Sequence, residues 1–264
     1  MKLTFLGSCS GTEPMPDRFH TSYVIEFNGG VYWFDAGEGC SYRAHLLGID
    51  ILAIRSLCFS HCHLDHVGGL VNLLGTIRKL EGRNPDPGRS IAERTLPVRI
   101  PTLRVWQGAL AVLQGPADVL HLPFEHDAQT YTDGMIFDSE GLKISALHNR
   151  HLGDPAPGDP WQSYSFRIET ANRSIVSSGD IKHVSEVVPL IAQGCDLFLM
   201  ETGHHQVDEI CTYLMENDVP FGRLGFFHHG RAILADPEGE CKKAQAIVGD
   251  RVFVADDAMV IDLN

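Results

Sequence analysis

The chain has 264 residues, 44% of them apolar, and carries 21 lysines and arginines against 34 aspartates and glutamates, for a net charge of −13. A chain of this length buries a sizeable core without disulfide or metal staples, and its acidity argues against a broad electropositive face for holding DNA or RNA. The seven cysteines, at 9, 40, 58, 62, 195, 211 and 241, are odd in number and form no Cys-x-x-Cys pair, which fits a reducing compartment. The opening stretch is too short in apolar residues for a signal-peptide core, and no later run approaches a membrane span. A cytoplasmic protein with no membrane partner is expected.

In chain order, "KLTFL" reads as a strand, followed by "TSYVIEF" and "VYWFD" as a hairpin joined at Asn28-Gly29-Gly30. "SLCFS" is another short strand. Leu70, Leu73, Leu74 and Ile77 recur at helical spacing, so a helix from about Val67 to Leu80 is expected to pack one face on a sheet. Residues 81–97, rich in Gly, Pro and charge, read as a loop excursion, after which regular structure resumes. The arginine-rich stretch from Arg78 to Arg104 reads as a solvated insertion or a subunit contact, with a local basic patch that grips a polyanion as the alternative.

The second half repeats the habit of strand then helix. "LKISAL", "SYSFRIE", "SIVSS", "DLFLM" and "RLGFF" read as strands, "VSEVVPLIAQ" and "VDEICTYLMEN" as helices, and "RVFVADDAMVIDL" as one or two closing strands. Two β-rich halves with helices to cover one face of each suggest stacked sheets with helices outside. No linker splits the chain, so residues 1–264 are expected to form a single domain. Trp33 and Trp106 lie in strand-like stretches and read as core.

Between "SLCFS" and the helix lies His61-Cys62-His63-Leu64-Asp65-His66, with Gly68-Gly69 following. Imidazole and carboxylate donors suit zinc and similar divalent ions, and one ion wants three or four of them converging. One loop cannot complete two ions, so further ligands are sought where other strands stop. His148 and His151 follow "ISAL", Asp180 follows "SIVSSG", and His228 and His229 follow "LGFF". Strand alternation groups His228 with Leu224 and Phe226, and His229 with Phe227. Cys62, inside the motif, reads as a packing residue pointing away from the metals.

His61-Cys62-His63-Leu64-Asp65-His66 followed by Gly68-Gly69, with the later histidine, Gly179-Asp180 and final histidine in the same order, resembles the metallo-β-lactamase-fold hydrolases over nearly the whole chain. The opening segment, "FDAGEG" with Asp35, "ISALHNRH" and "SSGD" resemble more narrowly the ribonuclease Z and phosphodiesterase branch. The resemblance implies an α/β fold, a four-layered αββα sandwich. It implies that His61, His63 and His151 hold one ion, that Asp65, His66 and His228 hold a second, and that Asp180 bridges them. His148 is the alternative to His151, and His229 to His228.

Two divalent ions, zinc or else manganese, roughly 3.5–4 Å apart activate a bridging water as hydroxide, so no serine or cysteine nucleophile is needed. Asp65 is the candidate to orient that water and accept its proton. Glu201 with His204, in "DLFLMETGHHQ", resembles the ribonuclease Z pairing of a Glu segment with a Gly-His. There Glu201 would orient His204 to stabilise phosphoryl oxygens or protonate the leaving group. His205 is the neighbouring candidate.

Ribonuclease Z enzymes carry a long basic arm after the strand corresponding to "SFRIE", whereas here "SFRIETANRSIVSSGD" passes through a short turn. A small or cyclic phosphodiester, or a short nucleotide, is therefore expected as substrate ahead of precursor transfer RNA. Trp161, in the loop after His151, reads as a loop anchor or a surface for stacking a base. A homodimer is the expected assembly. The other readings are an acyl hydrolase of lactones, thioesters or β-lactam-like amides, and a non-catalytic ligand-binding member of the same fold.

Overall fold

The computed structural model describes residues 1–115 and 121–263. The chain divides into two compact units, one built from residues 1–7, 16–131 and 257–264, the other from 8–15 and 132–256.

The first unit contains strands β1 (Lys2–Gly7), β2 (Ser22–Phe27), β3 (Gly30–Phe34), β4 (Ile54–Cys58), β5 (Thr95–Arg99) and β6 (Glu125–Gln129). Its helices are α1 (Cys40–Leu46), α2 (Leu64–Val67), α3 (Leu70–Glu81) and α4 (Leu103–Gln114). The second unit contains β7 (Gly134–Ser139), β8 (Leu142–His148), β9 (Tyr164–Glu169), β10 (Ser174–Ser177), β11 (Cys195–Thr202), β12 (Phe221–His229) and β13 (Val252–Val254). Its helices are α5 (Val188–Ile191), α6 (Val207–Glu216), α7 (Arg231–Ala235) and α8 (Pro237–Val248), after which β14 (Val260–Asp262) returns to the first unit.

Each unit has one seven-stranded sheet, ordered β14-β1-β2-β3-β4-β5-β6 in the first and β13-β12-β11-β10-β9-β8-β7 in the second. In the first, β14 through β3 pair antiparallel and β3 through β6 parallel. In the second, β7 through β10 pair antiparallel and β10 through β13 parallel. Parallel neighbours end side by side, so residues just beyond their carboxyl ends meet however far apart they lie in sequence.

The hairpin forms where expected, because Asn28 and Gly29 both take positive φ, 48° and 74°, the conformation a two-residue turn between twisted strands requires. The helix expected from Val67 to Leu80 forms as α3 from Leu70, separated from the short α2 at Gly68-Gly69. The reason is close approach: a Cβ on Gly69 would sit 2.2 Å from the Gly37 carbonyl oxygen. Beside it, the Ala36 amide donates to the His66 carbonyl (2.6 Å) and the Gly69 amide to the Ala36 carbonyl (2.8 Å). Beyond the break, Leu70, Leu73, Leu74 and Ile77 are buried in a core with Trp33, on β3, and Trp106, which stands on helix α4 and not on the strand expected.

Within residues 81–97 a 3₁₀ turn over Pro87–Arg89 is capped by Asp86, Ile91 is buried, and β5 begins at Thr95. Pro97 masked that strand from a propensity reading. "VSEVVPLIAQ" forms a 3₁₀ turn over Val184–Glu186 and then only one turn of helix, with Pro189 in its first turn. The helix over Pro237–Val248 has no sequence stripe to announce it, since it buries only Glu240, Ala244 and Val248. Among the described residues no helix is long and apolar enough to cross a membrane.

Candidate metal centre

In the first unit the donors follow β4 and its neighbour β3. Asp35, the residue after β3, takes φ +53°, a conformation uncommon outside glycine and held here by its surroundings. Its amide donates to the Cys58 carbonyl (2.9 Å), and its own carbonyl accepts from the Trp33 indole (2.8 Å) and the Ser22 hydroxyl (2.8 Å). The carboxylate is thereby aimed at the motif loop. Oδ1 accepts from the Ser60 amide (2.8 Å), and Oδ2 accepts from the Ser60 hydroxyl (2.8 Å) and from His66 Nδ1 (2.9 Å).

A carboxylate on Nδ1 fixes the tautomer of His66 and assigns Nε2 the ligand role. That Nε2 lies 3.5 Å from Asp65 Oδ2. The His61 ring centroid lies 4.0 Å from that of His66 and 4.6 Å from that of His63. The four donors of the loop therefore converge, with His61, Asp65 and His66 buried. Cys62 packs on the apolar core, and burial pushes its thiol up to about 12.

In the second unit the donors come from the ends of β8, β10, β11 and β12. Asp180 follows β10; its Oδ1 is 3.2 Å from His228 Nε2, and its Oδ2 is 3.7 Å from His151 Nε2. The turn carrying His151 is set by buried Asn149, whose Oδ1 accepts from the His151 amide (3.2 Å). His148 goes elsewhere. Asp133 accepts from its backbone amide (2.7 Å) and its Nδ1 (2.7 Å), and its ring stacks on Trp161 at 4.1 Å.

The last two histidines of β12 also separate. The ladder pairs Glu201 with Phe227 and Thr202 with His229, so His228 is the extra residue of a β-bulge, with φ +50°. The bulge interrupts the strand alternation and turns His228 toward Asp180 and Glu201, its Nδ1 lying 3.7 Å from Glu201 Oε2. His229 instead lies 2.7 Å by Nε2 from the Ala255 carbonyl and 3.1 Å by Nδ1 from the Thr202 hydroxyl. Gly203 is required beside the bulge, because a Cβ there would lie 2.7 Å from His228 Nδ1.

Glu201 is fully buried, and His204 grips both of its oxygens. The His204 backbone amide donates to Oε2 (2.9 Å) and its Nδ1 to Oε1 (3.0 Å). The buried Ser178 hydroxyl accepts from the Glu201 amide (3.0 Å) and thereby fixes the glutamate. Burial opposes the charge on Glu201, but the hydrogen bonds and charges of His204 and His228 outweigh it and hold the carboxyl below the usual carboxylate range. The hydrogen bond to Glu201 in turn raises His204, against the effect of its partial burial. His205 Nε2 lies 3.0 Å from the Ile181 carbonyl and 3.6 Å from Glu201 Oε1.

The donor chemistry fits a divalent ion. His151, Asp180 and His204 each offer a ligand atom, all within 4.8 Å of one another, as do Glu201, His204 and His228. Imidazole and carboxylate without thiolate suit zinc or manganese. His204, read from the sequence as a catalytic partner, thus also stands among donors. Ser60, Asn149 and Ser178 escaped the sequence reading; their one signal is that small polar residues flank each donor at the strand ends.

The chain superposes on the metallo-β-lactamase fold protein YhfI from Bacillus subtilis with a TM-score of 0.74 at 17% identity, covering 98% of each chain. It superposes on human tRNase Z, short form, with a TM-score of 0.71 at 20% identity over 100% of each chain. The class is therefore the metallo-β-lactamase fold, the αββα arrangement expected from the motifs. Ribonuclease Z from Mycobacterium avium (strain 104) is 30% identical over 190 residues, which are 68% of this chain and 62% of that protein. The chain so matches about three fifths of the length of that curated relative, and the expected tie to the ribonuclease Z branch is borne out. Residues 1–218 match the family described as Anti-Pycsar protein Apyc1, and the chain belongs to that family.

Proposed function

We propose that this protein is a metal-dependent phosphodiesterase acting on small or cyclic phosphodiesters. The observation that carries the proposal is the Glu201–His204 pair, a buried carboxylate holding a half-exposed imidazole beside Asp180 and His228. A carboxylate so placed keeps the imidazole protonated, and a protonated imidazole stabilises phosphoryl oxygens or delivers a proton to a leaving alkoxide. His204 Nε2 is the proton-bearing atom assigned to that role, because Nδ1 is taken by Glu201.

The ligand set proposed is His61, His63 and His151 for one ion, Asp65, His66 and His228 for a second, and Asp180 for both. Two divalent ions, zinc ahead of manganese, would supply Lewis acidity and lower the pKa of water. Asp65 orients the attacking water and takes its proton. Asp35 holds His66, and Asn149 holds the turn of His151. The two units are read as one functional domain in a cytoplasmic homodimer, in keeping with seven cysteines that are all thiols.

Three features support a small substrate over transfer RNA. The connection between β9 and β10 is a tight turn, with the Thr170 amide donating to the Arg173 carbonyl (2.8 Å), where ribonuclease Z carries its arm. The net charge is −13. Three of the arginines between 78 and 104 are engaged locally, Arg89 on Asp50, Arg94 on the Leu52 carbonyl and Arg99 on Asp127.

Metal-loaded protein assayed on bis(p-nitrophenyl) phosphate, a cyclic nucleotide, a lactone and a thioester tests the reading. Turnover of the two phosphodiesters is expected; turnover of the acyl substrates alone overturns it.

A further inference from the structure

Three strand-end segments of the second unit are bound together beside His228. The Ser8 carbonyl accepts from the His229 amide (2.7 Å), and the Ser10 amide and hydroxyl both donate to the His229 carbonyl (3.2 and 2.8 Å). The Gly230 amide donates to the Thr202 carbonyl (3.2 Å). Gly203 is packed so closely that a Cβ on it would touch both His228 and the Ser10 side chain. At the outer edge of this junction, Arg231 meets Glu13 fork to fork, Nη1 to Oε1 at 2.9 Å and Nη2 to Oε2 at 2.7 Å.

The pair is exposed on both sides, with side-chain exposures of 76% for Arg231 and 56% for Glu13. An exposed ion pair adds little to stability, and water or another anion exchanges for either partner readily. A guanidinium fork matches a phosphate as well as a carboxylate, each accepting two parallel N–H bonds. Arg231 also stands three residues after His228, at the end of the strand that delivers this donor. It is thus a guanidinium fork close along the chain to the candidate donor His228, occupied by an internal anion of the shape a phosphate would present.

We infer that Arg231 is a substrate-binding residue that takes an anionic phosphate oxygen pair of the substrate, and that Glu13 occupies its fork until substrate displaces it. The inference rests on the phosphodiesterase reading above and assigns to it a specificity-determining residue. Glu13 in this role is a built-in competitor, so its removal strengthens binding while removal of Arg231 weakens it. A pair that merely ties residues 8–15 to the end of β12 predicts the same sign for both.

The test measures kcat and KM of the metal-loaded full chain for bis(p-nitrophenyl) phosphate, and binding of inorganic phosphate by calorimetry, in wild type, Arg231→Met and Glu13→Gln. Loss of a bidentate charged contact is expected to raise KM about tenfold in Arg231→Met with kcat nearly constant. Glu13→Gln is expected to lower KM and tighten phosphate severalfold, most clearly at low salt. Weakening by both variants, or no change in either, overturns the inference. If the wild type turns over only acyl substrates the phosphodiesterase reading fails, and the phosphate titrations still decide Arg231: an affinity unchanged by Arg231→Met overturns its role, and a tenfold loss upholds it.

Discussion

The two units use one strand pattern, antiparallel pairs followed by parallel ones, yet they present donors in opposite ways. In the first, four donors sit within six consecutive residues after β4, two in the loop and two on α2. In the second, His151, Asp180, Glu201, His204 and His228 are drawn from four strand ends spread over most of that unit. The contrast shows two routes to one chemistry. A dense loop must bend sharply, and it does so at Gly68-Gly69 against Gly37. A dispersed set needs strands that end on one edge of the sheet, here the parallel neighbours β10, β11 and β12 and, two places from β10, β8, plus local devices such as the bulge at His228.

The largest expected effects come from removing one donor on each route. His63→Ala and Asp180→Ala should each lower bound metal and bring hydrolysis near background, read by elemental analysis and by initial rates. Full metal occupancy in both variants would contradict the ligand assignment. If only one variant loses metal, the two arrays bind independently and the comparison becomes a division of labour.

Next in size is Glu201→Gln, which keeps the shape of the pair and removes its charge. A fall of about 10²-fold or more in kcat is expected, the usual contribution of a positioned acid. Because Glu201 favours the imidazolium of His204, its loss should also move the basic limb of the rate profile to lower pH. A protein that loses metal instead would place Glu201 and His204 among the ligands.

Asp35→Asn tests whether the dense loop needs its tether. The amide offers His66 a poorer acceptor, and metal affinity should fall about 10- to 100-fold, as when an outer partner of a ligating histidine is lost. Wild-type affinity would show that the loop holds its own geometry. The smallest effect on chemistry is expected from Gly203→Ala, which crowds His228 and should cost about 1–3 kcal/mol of stability in thermal or denaturant unfolding. An unchanged stability would mean that the bulge yields more easily than its contacts imply.

Legibility in the sequence followed the same division. The hairpin at Asn28-Gly29, the buried face of α3 and the types of donor were readable because each is encoded in residues adjacent along the chain. The strand at Thr95–Arg99 was hidden by Pro97, β6 by its polar sequence Glu-His-Asp-Ala-Gln, and α8 by a face with few apolar residues. Hydrophobic periodicity signals only those elements that bury one consistent face.

The sequence by itself determined which residues can bind a metal and which strands end in them, since side-chain chemistry and apolar runs are local properties. Only the tertiary structure decided the partners. His66 is oriented by Asp35 from another strand, His148 is drawn off by Asp133 and Trp161, and a bulge separates His228 from His229. Each choice depends on which strand ends lie side by side, and that is set by the pairing order of the sheets.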